Sequence, residues 1–112
     1  MEIITYIHLF HILFVGSLFL YVGLMKRSNP SLMYPVLLLL GIVIILYHSF
    51  KAYKYMKKGK GYSVNLFHIF VVAPTLIYIG YNKEKTNNMY YNSLFGLGCL
   101  SIIYHGYYLI NK

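Results

Sequence analysis

Four apolar runs, residues 3–24, 32–50, 64–81 and 89–110, constrain this chain more than any other feature, because each is near 20 residues long and only short polar segments part them. About 20 apolar residues in helical form cross the roughly 30 Å of hydrocarbon in a bilayer. Of the 112 residues 59% are apolar and 11% charged, whereas an ordinary soluble domain carries about 25% charged residues. A soluble body this small buries the least of its surface; a bilayer removes that difficulty by solvating the outside of the helices. The pattern predicts an all-α polytopic membrane protein, residues 1–112 forming one transmembrane domain of four helices in an up-down-up-down bundle. The third run is the shortest, and Pro74 inside it is expected to kink or locally open its helix.

Ten Lys and Arg stand against two carboxylates, Glu2 and Glu84, for a net charge of +8. Nucleic acid is not the expected partner, because the basic residues are confined to short segments between apolar runs. Lys51, Lys54, Lys57, Lys58 and Lys60 share one loop, and with Lys112 they outnumber Lys26, Arg27, Lys83 and Lys85 on the opposite side, six to four. By the positive-inside rule both termini and the 51–63 loop are predicted to be cytoplasmic. The five-lysine loop is also placed to touch anionic lipid headgroups, although a plain topology signal accounts for it. Glu2 is the only early charge and no small-x-small pattern follows, so the first run reads as a retained helix rather than a signal peptide. The expected partners are the lipid bilayer and, as an option, further copies of the chain in a homo-oligomer. Cys99 is the single cysteine; it excludes an internal disulfide and the cysteine-pair electron shuttles of four-helix oxidoreductases.

Offsetting the chain by 57 residues aligns it with itself without gaps, with 15 identities over 47 positions. Leu9-Phe10-His11-Ile12 falls on Leu66-Phe67-His68-Ile69, Gly23 on Gly80, Lys26 on Lys83, Tyr34 on Tyr91, Gly41 on Gly98, and Tyr47-His48 on Tyr104-His105. Apolar low complexity yields chance matches of Leu and Ile, but not His, Gly and Tyr together in one register. The expectation is a tandemly duplicated helical hairpin, repeat 1 about residues 9–55 and repeat 2 about 66–112. Each copy crosses twice, so the repeat is parallel, with a pseudo-two-fold axis along the membrane normal.

Four of the five histidines fall on the repeat. His11 lies about 12 residues before Gly23 and His48 about 13 after Pro35, which sets both roughly 18–20 Å from the same turn. Duplication then predicts a layer of His11, His48, His68 and His105 near the cytoplasmic side. His8, one turn outward of His11, has Asn65 as its counterpart. Converging neutral imidazoles suit a transition metal such as Zn²⁺ or Cu²⁺. Two imidazoles across a bundle suit axial ligation of haem, with Gly41 and Gly98, two turns away on the same faces, leaving room for the macrocycle. Titratable histidines could also relay protons or gate cations. The blander alternative is interfacial histidines bonded to backbone, water or headgroups in a structural or assembly protein of a cellular or viral membrane. Tyr47 and Tyr104 point about 100° away from the adjacent histidines and fit interfacial or supporting roles.

Several chemistries are excluded by absence. No Asp or Glu lies inside a span to drive an antiporter, no Lys lies mid-span for a retinal Schiff base, and no nucleophile triad, phosphate loop or zinc-protease motif occurs. No catalytic residue is therefore assigned, and enzymatic chemistry would have to come from a bound metal or haem.

Overall fold

The computed structural model describes residues 2–111; Met1, and the Lys112 counted in the charge balance, lie outside them. The described residues form four long helices: α1 (Ile3–Ser28), α2 (Met33–Lys57), α3 (Ser63–Lys85) and α4 (Asn88–Ile110). Each is long and apolar enough to cross a membrane. Only 17% to 33% of the most apolar stretch of each helix is buried. Leu13, Leu39, Leu46, Phe70 and Ile103 are among the many large apolar side chains left exposed. Lipid tails accommodate such faces, whereas water does not.

α2 runs seven residues past its apolar run, through Lys51, Lys54 and Lys57. Nothing between Phe50 and Lys58 breaks a helix, and the stop comes at Gly59, which adopts φ +70°. The Gly59 N–H donates to the Met56 carbonyl and the Lys60 N–H to the Tyr55 carbonyl, a Schellman closure that satisfies two terminal carbonyls. At the start of α4 the Asn87 side chain accepts from the Met89 N–H at 2.9 Å, as an N-cap should.

α1 and α3 end alike. Lys26 and Lys83 adopt φ 50° and 55°, a region that costs an L-residue about 1–3 kcal/mol. Lys26→Gly and Lys83→Gly are each expected to raise the thermal midpoint in detergent, by relief of roughly 1 kcal/mol of strain. An unchanged or lowered midpoint by circular dichroism would show that the lysine side chains contribute more than the strain costs.

Both helices also widen to π geometry, over His11–Gly16 in α1 and His68–Val72 in α3. The α3 turn lies just before Pro74, where opening was expected. Proline is not required for it, because Ser17 stands at the equivalent place in α1.

The chain divides into two compact units, residues 1–28 with 87–112, and residues 29–86. In the first, α1 packs antiparallel on α4. Phe19, Val22, Tyr91 and Leu94 form its core, and a Cβ on Gly23 would fall 2.8 Å from the Tyr91 carbonyl oxygen and 2.7 Å from Phe95 Cβ. In the second, α2 packs antiparallel on α3. Tyr34, Leu37, Leu76 and Ile79 are its core, and a Cβ on Gly80 would fall 2.7 Å from the Tyr34 carbonyl oxygen and 2.9 Å from Leu38 Cβ. Without a hydrophobic drive between helices in lipid, such close backbone approach is what holds a pair together.

Candidate functional site: paired histidines

Within the first unit the imidazoles of His11 and His105 stack, centroids 4.2 Å apart and planes inclined by 20°. His11 Nδ1–H donates to the Ile7 carbonyl at 2.8 Å, one turn back along its own helix. The widened turn begins at that same residue. His105, only 8% exposed, brings its Nδ1 to 2.9 Å from His8 Nδ1. The Ser101 hydroxyl donates to the His11 carbonyl at 3.3 Å and ties α4 to α1 beside the pair. The neighbouring Thr5 is buried, and its Oγ1 has no hydrogen-bond partner among the described residues.

The second unit holds a similar pair. His48 and His68 stack with centroids 4.1 Å apart and planes inclined by 15°. His68 Nδ1–H donates to the Val64 carbonyl at 2.7 Å, and here too the wide turn starts at the histidine. His48 Nδ1–H donates to Asn65 Oδ1 at 2.8 Å, so Asn65 stands toward His48 as His8 stands toward His105.

Of the expected layer of four, the structure therefore brings together His11 with His105 and His48 with His68. The sequence register set His11 level with His48; each contact pair joins one histidine from residues 9–55 to one from residues 66–112. Two partners were undervalued from sequence: His8 touches His105 directly, and Asn65 is the hydrogen-bond partner of His48. The signal was available in the register, where one polar residue replaces another inside an otherwise apolar stretch.

Tyr47 and Tyr104 meet the rings of His48 and His105 edge-on, each at 5.1 Å. Gly41 and Gly98 each face the partner helix of their own unit. A Cβ on Gly41 would lie 2.6 Å from Ile77 Cγ1, and one on Gly98 would lie 3.0 Å from Phe19 Cβ. The partner helix fills the room these glycines make, so their role is packing. Cys99 is a free thiol in α4.

The geometry of the pairs limits what they can hold. A ring nitrogen directs its lone pair in the ring plane, and planes inclined by 15° to 20° at this separation do not meet within a metal–nitrogen bond length. Axial haem ligands lie on opposite faces of the macrocycle, whereas these rings touch. Among the described residues no group of three His, Cys, Asp or Glu side chains is arranged to hold a metal ion. A proton is different, because a nitrogen–nitrogen contact of 2.9 Å is itself a hydrogen bond. Compared with known protein families, curated proteins and solved structures, the chain matches none.

Proposed function

We propose that this chain is an integral membrane protein that takes up a proton and passes it through the His8–His105–His11 cluster at one end of α1 and α4. It is read as a parallel duplication of a helical hairpin, with both termini and the 51–63 loop on the cytoplasmic side. The observation that carries the function is the Nδ1-to-Nδ1 contact of His8 and His105. One ring donates its N–H and the other accepts through its lone pair.

A proton arriving at Nε2 of the donor ring makes it an imidazolium. The hydrogen between the two Nδ1 atoms moves to the second ring, and that ring releases its own Nε2 proton. One proton enters, one leaves, and both rings end neutral in the opposite tautomer. The pair resets when both rings rotate and re-exchange their hydrogens with water, because moving the bridging hydrogen straight back would return the proton to the side it entered. The face of His11 lies over His105 and supports the transient cation, as aromatic faces do. Thr5 Oγ1, one turn before His8 along α1, is a further buried polar atom, of the kind that ordered water satisfies.

Proton entry into liposomes containing the purified protein, driven by a potassium diffusion potential and read by an internal pH dye, tests this. Wild type is expected to acidify the lumen, and His105→Ala to fall to the protein-free rate. Equal flux in the two proteins, or none in either, would overturn the relay.

A transition-metal reading retains one supporting observation. His11 and His68 each give the Nδ1 hydrogen to a main-chain carbonyl, which leaves the lone pair on Nε2, as in metal-bound histidines. An optical spectrum and elemental analysis of protein never exposed to chelator decide it. Stoichiometric Zn or Cu, lost in a His11→Ala/His68→Ala variant, would support that reading; protein without metal would end it.

A further inference from the structure

We infer that the C-terminal extension of α2 is a binding site for anionic phospholipid headgroups. α2 has 25 residues, about 37 Å of helix against roughly 30 Å of hydrocarbon. If its apolar run fills the bilayer core, the last two turns stand in the headgroup layer. Those turns and the following loop carry Lys51, Lys54, Lys57, Lys58 and Lys60 within ten residues. In this unit the sole carboxylate is Glu84. It lies in the closing turn of α3, at the far end from the lysines because α2 and α3 are antiparallel. The counter-charge for five ammonium groups must come from outside the unit.

Aromatic rings set where three of those ammonium groups sit. Lys51 Nζ is 5.3 Å from the Tyr55 ring and 6.0 Å from Tyr47, Lys54 Nζ is 5.3 Å from Phe50, and Lys57 Nζ is 5.3 Å from Tyr53. Each contact spans one helical turn and holds the ammonium along the helix. Tyrosine prefers the headgroup level, so Tyr47, Tyr53 and Tyr55 hold the Lys51 and Lys57 charges at phosphate depth. The partner whose chemistry fits is a lipid with net negative charge, such as phosphatidylglycerol or phosphatidylserine. A zwitterionic lipid brings its own cation and gains little.

The test reconstitutes the whole chain in phosphatidylcholine and measures association of spin-labelled phosphatidylglycerol against spin-labelled phosphatidylcholine by electron spin resonance. Wild type is expected to favour the anionic lipid, and Lys57→Gln/Lys58→Gln to lose roughly five-fold of that preference per lysine removed. Replacing all five lysines by Gln is expected to abolish it, and replacing them by Arg to keep it, which separates charge from any folding defect. Lys83→Gln/Lys85→Gln, at the other end of the unit, is expected to leave it intact. Inorganic phosphate added at equal ionic strength should not displace the lipid. Equal association of the two lipids with wild type, an unchanged preference after all five Gln substitutions, or displacement by phosphate alone would each overturn the assignment.

Discussion

Gly80→Ala is expected to loosen the α2–α3 unit by about 1–3 kcal/mol, the usual cost of forcing extra volume into a packed core. The new Cβ would sit 2.7 Å from the Tyr34 carbonyl oxygen and 2.8 Å from the Leu38 nitrogen. Those are main-chain atoms of the facing helix, so no rotamer change can make room. The helices must move apart, and the contacts of Leu37, Leu76 and Ile79 go with them. Gly80→Leu is expected to separate the pair outright. Gly23→Ala should cost a similar amount in the other unit, where the Tyr91 carbonyl oxygen and the Phe95 nitrogen lie 2.8 and 2.9 Å from the added carbon. Gly96→Ala is the control, because a Cβ there meets nothing within 4 Å, and alanine favours helix over glycine. Denaturant titration in mixed micelles, followed by circular dichroism, measures all four variants. Equal midpoints for Gly80→Ala and Gly96→Ala would count against the clamp.

Exchanging the polar residue that bonds the paired histidine in each unit, His8 in one and Asn65 in the other, is expected to have the second large effect, this time on transport. His8→Asn gives the first unit the arrangement of the second: His105 would donate to an amide oxygen, as His48 does to Asn65 at 2.8 Å. An amide accepts the hydrogen bond but does not hand a proton on. Flux should therefore fall to the protein-free rate while the denaturation midpoint stays near wild type, since the stacked rings and the glycine clamp are untouched. The reciprocal Asn65→His should create a second imidazole–imidazole contact and restore flux to a His8→Asn background. Nitrogen-15 spectra of labelled histidine report the same change as a redistribution of Nδ1-protonated and Nε2-protonated rings. His8→Asn protein that still conducts would remove His8 from the relay.

Much of this architecture can be read from the residues alone, and the gaps have physical causes. Four spans were legible because hydrocarbon thickness sets a length that composition reveals directly. The extension of α2 was not, since lysine and tyrosine interrupt an apolar run without interrupting a helix. Repetition in sequence marked His11, His68, His48 and His105. It could not say which ring meets which, because a repeat fixes equivalence between positions and leaves helix neighbours open. Gly41 and Gly98 stood out as a repeated pair, yet Gly23 and Gly80 make the closer main-chain contacts. The wide turns had no sequence signature at all; each begins at a histidine whose imidazole also bonds the carbonyl four residues back, a contact between side chain and backbone that no apolar pattern encodes.

Those wide turns have a mechanical consequence. A π turn holds one residue more than an α turn, so α1 and α3 each carry a residue of slack between the histidine end and the glycine end. Taking up that slack would turn the outer segment of α1 by about 100° and shift it by roughly 1.5 Å, carrying His8 with it. The Gly23 contact lies beyond the turn and would stay engaged. One half of the helix would then serve as an anchor and the other as a dial, whose setting would change which imidazole faces which.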